Sequence, residues 1–347
     1  MSKKLQVGII GTGGIARNCH MPAWSKHPDC EIIAVCDANE QALNTAAEQF
    51  GVKYKFTDFK KMLTMEEIDV VDICTPNYLH AEPAILALNS GKHVMVEKPM
   101  AMNAVEGEAM CQAAQKAGKK LMVAQNCRFG SEAQTLKRFV DAGEMGEVYY
   151  ARVQALRRRG IPGWGVFTQK DKQGGGPLID IGVHVLDLTL WLMGHPKPTA
   201  ASGLCYTKFG TRPGLVGLFG KWDHTNYTVE DFATGLIRFD NGASLVIESS
   251  FAANIEKDVF NTALFGTEGG CEWNPIKIFK EEHQALLDVT PVFLPKVNTH
   301  EAEVFQFADS ILNDTPTPVP GEQGLMVMKI LDAIYKSAEE GKEVAIR

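Results

Sequence analysis

The sequence has no basic surplus: its 35 lysines and arginines are outnumbered by 42 aspartates and glutamates, for a formal net charge of −7. That balance excludes sequence-independent nucleic-acid binding, which needs clustered cations against phosphate. The reading also finds no apolar run approaching the roughly 18–20 residues of a membrane helix, so no membrane partner is expected. Met1-Ser2-Lys3-Lys4-Leu5 leads straight into a short apolar strand. It lacks the long apolar region and small-residue cleavage site of a secretory signal. None of the eight cysteines, Cys19, Cys30, Cys36, Cys74, Cys111, Cys127, Cys205 and Cys271, forms a C-x-x-C pair. A zinc or redox motif therefore has no support, and no metal is expected. The expectation is reduced thiols in a cytoplasmic protein, acting as small hydrophobes where they fall in apolar strands. Internal repeats and low-complexity segments are also missing.

What is present is a globular composition, 45% hydrophobic and 22% charged over 347 residues. That length favours two domains of roughly 100–200 residues each. Short apolar strands are predicted at 5–10, 31–36, 68–74, 92–96 and 120–125. Helices are predicted at 14–26 (kinked at Pro22), 39–50, 79–90 and 103–117. Strands alternating with helices mean βαβ units and a parallel sheet covered on both faces. Residues 1–125 thus read as a doubly wound Rossmann-type domain. The rhythm then changes. A helix at 131–142 and a long strand at 147–159 precede a glycine- and proline-rich loop at 160–177. A helix follows at 178–193, then mostly strands from 199 to about 290, and helices near 300–313 and 321–340. Strands with few crossover helices predict a largely antiparallel open sheet, so residues 126–347 read as an α+β domain.

Gly11-Thr12-Gly13-Gly14-Ile15-Ala16 fits G-x-G-x-x-G/A, placed after a predicted strand and opening a helix. The first glycine permits a tight turn, the second lets backbone approach a pyrophosphate, and the alanine lets helix pack on sheet. The helix N-terminus adds N–H donors and a favourable dipole. Asp37 ends the second strand, 21 residues beyond Ala16. A carboxylate there accepts from the ribose hydroxyls and repels a 2′-phosphate, favouring NAD over NADP. The third strand ends at Cys74-Thr75-Pro76-Asn77, with His80 close behind, and the fourth at Glu97-Lys98-Pro99. Carboxyl ends of parallel strands line the ligand crevice. A lysine there can stabilise a developing alkoxide.

Gly174-Gly175-Gly176-Pro177 introduces the helix carrying Asp180, His184, Asp187 and Trp191, spaced i, i+4, i+7 and i+11 on one face. A histidine titrating near neutrality can take a hydroxyl proton, and an aspartate one turn earlier can orient it or bind substrate. An amphipathic helix with a surface polar pair reads equally from these residues alone. Asp187 and Trp191 read as structural.

Taken together, these residues resemble the Gfo/Idh/MocA family, named after glucose–fructose oxidoreductase and inositol dehydrogenase. The features that carry the resemblance are Gly11–Ala16, Thr75-Pro76-Asn77 with His80, Glu97-Lys98-Pro99, Arg128-Phe129, and Asp180-Ile181-Gly182-Val183-His184 with Asp187-Leu188. They run in order through the whole chain. The resemblance implies an NAD-binding Rossmann domain and a C-terminal domain whose open sheet makes dimers or tetramers. It implies Lys98, Asp180 and His184 as the catalytic group, with Glu97 and Asn77 near the nicotinamide ribose. It further implies hydride transfer at a secondary hydroxyl or ketone of a sugar or cyclitol. Within the 157–169 loop, Arg157, Arg158 and Trp164 are substrate candidates, by guanidinium hydrogen bonding and ring stacking. Arg128 is either a substrate ligand or a tie between domains. Two alternatives stay open: glycoside hydrolysis or epimerisation through a transient ketone with NAD retained, and a non-enzymatic dinucleotide-sensing regulator.

Overall fold

The computed structural model describes residues 4–347 and divides into two compact units. One holds the chain through Asn126 and takes it back for Asn298–Leu325. The other holds Cys127–Val297 and Met326–Arg347.

The first unit is built on β1 (Leu5–Ile10), β2 (Cys30–Cys36), β3 (Tyr54–Phe56), β4 (Val70–Ile73), β5 (His93–Glu97) and β6 (Leu121–Ala124). They form a wholly parallel sheet in the order β3-β2-β1-β4-β5-β6. All four residues of β4 and of β6 are buried, as strands covered on both faces require. Helices Glu40–Phe50, Ala81–Asn89 and Ala104–Ala117 supply crossovers. Two of them begin on an asparagine: Asn39 accepts from the N–H of Ala42, and Asn103 from that of Glu106. The strand order reverses between β1 and β4, which opens a crevice beyond their carboxyl ends.

The segment after β1 differs from the expected kinked helix. A wide π turn spans Ala16–His20, and Met21–Lys26 continues as α-helix. Pro22 falls in the first turn of that helix, where its missing N–H costs no hydrogen bond. The expected second domain, unbroken from 126 to 347, is also corrected. Helix Thr299–Leu312 belongs to the first unit, and the chain after it runs along β6. There the N–H of Val123 donates to the Val319 carbonyl at 3.1 Å, and Met122 bridges to Pro320. The returning segment satisfies an edge that would otherwise be open.

The second unit carries nine strands: β7 (Val148–Leu156), β8 (Pro198–Tyr206), β9 (Phe232–Phe239), β10 (Ser244–Ser250), β11 (Val259–Gly266), β12 (Gly269–Glu272), β13 (Lys277–Glu282), β14 (Ala285–Val289) and β15 (Val344–Ala345). Their order is β14-β13-β12-β11-β7-β10-β9-β8-β15, antiparallel except for β7 with β10. Along β9 and β10 buried and half-buried positions alternate, so one face packs on a core and the other is more open. The expected run of strands is interrupted at 207–231 by a long irregular loop. Asp231 holds its base, accepting from the N–H groups of Lys208 and Gly210 at 2.7 and 2.8 Å. One apolar helical stretch, Lys170–Leu192, is long enough to cross a membrane, contrary to the sequence reading. Of its most apolar window 89% is buried inside the protein, which makes it a core helix.

Candidate functional site

In the first unit the glycine loop does what a dinucleotide requires. Gly11 has φ 88°, and a Cβ there would lie 2.7 Å from the Cys74 carbonyl. Glycine is obligatory at this position because β1 and β4 pass so closely. Gly13 is different. Its φ is ordinary, and a Cβ would meet nothing within 4 Å. Nothing inside the chain asks for glycine there, so an approaching ligand is the remaining reason. The open cradle fits a pyrophosphate at the helix N-terminus.

Asp37, just past β2, is locked by that loop. Its Oδ2 accepts from the Thr12 N–H and hydroxyl at 2.8 and 3.0 Å, and its Oδ1 from the Asn39 N–H at 2.8 Å. Each oxygen has two lone pairs, so Oδ1 keeps capacity for a ribose hydroxyl. Ile15 and the buried Ala16 run into the π turn behind the loop.

At the ends of β4 and β5 the two candidate turns are tied together by His80. Its Nδ1 lies 2.8 Å from the Pro99 carbonyl and its Nε2 2.7 Å from the Thr75 carbonyl. Burial pulls its pKa below the ordinary histidine value. The neutral ring then donates to one carbonyl at a time. His80 is 1% exposed, so its place is behind the turns rather than against a cofactor. That corrects its reading as a binding residue. The Thr75 hydroxyl donates to the Leu79 carbonyl, and Pro76 leads into a short 3₁₀ turn holding the buried Asn77. The Lys98-Pro99 bond is cis, and the Lys98 N–H donates to Glu97 Oε2 at 2.9 Å.

The second unit holds Asp180 and His184. Asp180 lies in a π turn, Leu178–Gly182, that precedes the α-helix Val183–Leu192. The expected regular i, i+4 face is thus interrupted by a wider turn just before His184. The start of this segment is held from a distance. Glu230 accepts from the N–H groups of Gly176 and Leu178 at 2.9 and 3.2 Å and from the Tyr335 hydroxyl at 2.9 Å. The glycine run allows this closeness, because a Cβ on Gly176 would sit 2.2 Å from the Glu230 carbonyl. Burial pushes the Glu230 pKa up, against those donors. The ring of His184 stands edge-on to Phe260, with centroids 6.4 Å apart.

Arg157 lies over Phe219 and Phe251, 5.0 and 5.7 Å from their ring centroids, and donates to the Gly160 carbonyl. Burial lowers its pKa, and the negative field of Asp180 opposes that. Arg157 and Asp180 therefore share one electrostatic environment. Trp164 is 57% exposed, with Phe219 and Phe167 beside it at 6.0 and 6.4 Å. Arg158 is engaged along the chain, with Asp258 and the Glu256 carbonyl. Arg128 is not a substrate ligand in this geometry. It is buried, and its Nε and Nη2 donate to the two oxygens of Asp187 at 2.7 and 2.6 Å. Both residues lie in the second unit, so the pair braces that unit. Its guanidinium also lies 5.9 Å from the Trp191 ring centroid, consistent with structural roles for Asp187 and Trp191.

The sequence reading missed a polar group in the first unit: the buried His20, Trp24, Asp72 and Glu303 with the half-buried His300. Its signal was Asp72, a charge inside the fully buried strand β4. Among the described residues, His20, His300 and Glu303 bring ligand-type atoms within 4.8 Å of one another, as do His20, Asp72 and Cys74.

Residues 5–125 match the oxidoreductase family with an NAD-binding Rossmann fold, and residues 133–272 match the GFO/IDH/MocA C-terminal domain. The chain is 37% identical to D-glucoside 3-dehydrogenase of Escherichia coli K12, over 99% of this chain and 98% of that one. It is 30% identical to levoglucosan dehydrogenase of Pseudarthrobacter phenanthrenivorans, over 78% of this chain and 74% of that one. A solved levoglucosan dehydrogenase in complex with NADH superposes with a TM-score of 0.87 at 26% identity, covering 99% of this chain and all of that one.

Proposed function

Because this chain belongs to the Gfo/Idh/MocA family of oxidoreductases, we propose that it oxidises a secondary hydroxyl of a glucoside, using NAD in preference to NADP. The observation that carries the substrate class is the similarity to a glucoside dehydrogenase over nearly the whole of both chains. NAD preference rests on Asp37. Its carboxylate is fixed by three hydrogen bonds at the end of β2, and no arginine follows at 38–40 to receive a 2′-phosphate.

The bound nicotinamide supplies the hydride acceptor. The remaining work falls to side chains. His184 takes the hydroxyl proton as general base, and Asp180 orients the substrate or the base. The Lys98 ammonium stabilises negative charge that develops on the substrate oxygen. Arg157 and Trp164 present a hydrogen-bonding group and a ring face to the sugar. We further propose that the open face of the nine-stranded sheet joins copies into a dimer or tetramer. Exposed Tyr149, Leu204 and Phe265 on β7, β8 and β11 support an apolar contact there. Size-exclusion chromatography with light scattering tests this, and a monomer at micromolar concentration refutes it.

The function is tested on a panel of glucosides, levoglucosan, free aldoses and cyclitols, read by NADH absorbance. Glucosides should give stoichiometric NADH with a clear preference for NAD. Lys98→Ala and His184→Ala should each lower kcat by about 10²-fold or more. Wild-type turnover in both variants would overturn the mechanism. Glycoside consumed with no net NADH would replace it by chemistry through a transient ketone.

A further inference from the structure

The first unit buries a chain of ionisable groups that none of the steps above uses. His20 is fully buried, and both its ring nitrogens meet carboxylates. Nδ1 lies 2.8 Å from Asp72 Oδ2, and Nε2 lies 2.9 Å from Glu97 Oε1. An ionised carboxylate only accepts, so both nitrogens donate and the ring is an imidazolium. Burial works against that charge. It is the largest single influence, but Asp72 and Cys74 together outweigh it and hold the pKa well above the ordinary histidine value.

Each end of the bridge is anchored. Asp72 Oδ2 also accepts from Trp24 Nε1 at 2.7 Å, and its Oδ1 receives the Cys74 thiol at 3.6 Å. Glu97 turns its second oxygen, Oε2, to the N–H of Lys98 at 2.9 Å. Glu97 is the last residue of β5 paired in the ladder, opposite Ala124. Lys98 is therefore one residue past the strand hydrogen bonds, and its amide is met by the Glu97 carboxylate instead. Cys19, on the same turn as His20, and His300 and Glu303, from helix Thr299–Leu312, are the other titratable groups beside the ring. His300 stands 6.1 Å from His20 between ring centroids and bonds Glu303 at 3.0 Å.

We propose that His20 is a positioning residue for the reaction: its imidazolium clamps the Glu97 carboxylate and, through the bond from Glu97 to the Lys98 amide, sets the turn that presents Lys98. This inference rests on the dehydrogenase reading of Lys98. In this arrangement both ring nitrogens of His20 are taken by carboxylates.

The clamp predicts a specific failure. One cation lies between two carboxylates. Without it, Asp72 and Glu97 repel across a buried site, and the pair takes up a proton near neutral pH. The test uses the purified full chain, comparing wild type with His20→Gln and Asp72→Asn. The second variant keeps the shape of the aspartate and serves if the first does not fold. In folded variants kcat should fall about tenfold or more, while KM for the sugar changes less than about threefold. The kcat profile should gain a further ionisation between about pH 6 and 8, beyond any that the general base gives wild type: that of the carboxylate pair in His20→Gln, or of His20 itself in Asp72→Asn. Adding Glu97→Gln to His20→Gln should remove that step.

A role confined to packing would lower the melting temperature and leave the pH profile alone. Folded variants with wild-type kcat and profile would overturn the proposal. So would stoichiometric zinc in the wild type that is lost with His20→Gln. If the wild type oxidises no sugar, the dehydrogenase reading fails separately. The clamp is then judged by nitrogen-15 NMR. Two protonated His20 nitrogens above about pH 8, and a Lys98 amide signal displaced in His20→Gln, support it. A neutral His20, or an unmoved amide, overturns it.

Discussion

Replacing Glu303 by glutamine should change how the stability of the protein depends on pH. The Glu303 side chain is fully buried, with one oxygen bonded to His300 Nδ1 and the other without a hydrogen-bond partner among the described residues. Burial pushes its pKa up from 4.5 to about 7. His300 and His20 oppose the rise, and Glu97 adds to it. The folded carboxyl thus keeps its proton to about pH 7, while the unfolded one loses it near 4.5. Between those values the native state binds more protons, so stability falls as pH rises. A gap of roughly 2.5 pH units at about 1.4 kcal/mol each gives about 3 kcal/mol, most of it lost between about pH 5 and 8. Glutamine cannot titrate. It leaves a buried N–H₂ unpaired, which costs about 1–3 kcal/mol at every pH. In urea titrations Glu303→Gln should be the less stable protein at pH 5, and its deficit should shrink or reverse by pH 8. A difference between the two proteins that stays constant within about 0.5 kcal/mol across that range would refute the reasoning.

The two glycines of the loop should separate folding from binding. Gly11→Ala forces a Cβ to 2.7 Å from the Cys74 carbonyl at a positive φ, and should destabilise the apo protein by about 2 kcal/mol or more in thermal or urea melts. Gly13→Ala meets nothing within the chain and should melt like wild type, yet weaken NADH binding at least tenfold by fluorescence titration. Unchanged NADH affinity would remove the cradle argument. Asp187→Asn strips the buried Arg128 guanidinium of its counter-charge and should cost about 3–5 kcal/mol in urea denaturation. A loss below about 1 kcal/mol would show that the pair is not desolvated.

Local chemistry was what the sequence made legible. The glycine loop and the apolar strands each declare themselves within a few residues, and the parallel sheet follows from them. What stayed hidden depends on partners far along the chain. Arg128 read as either a ligand or a tie between domains, because Asp187, 59 positions away, cannot be matched to it by spacing. His80 read as a cofactor residue because the carbonyls that occupy it lie at two different strand ends. Glu230 gave no sign of capping a segment 54 residues earlier. The π turns at Ala16–His20 and Leu178–Gly182 escaped a search made at 3.6 residues per turn. Residue types at Lys98, Asp180 and His184 suggest the proposed chemistry from sequence alone, whereas the clamp proposed behind Lys98 depends on the folded sheet.

The return of Asn298–Leu325 to the first unit sets the order in which the chain can be completed on a ribosome. β6 emerges early, but the segment that pairs with Val123 is made almost 200 residues later, at Val319. In the interval the nascent sheet carries an unsealed flank, open to pairing with a neighbouring nascent chain. The earlier-synthesised unit therefore cannot close until most of the second has been made. A ribosome stalled before residue 298 would hold a dinucleotide fold still waiting for its last seam.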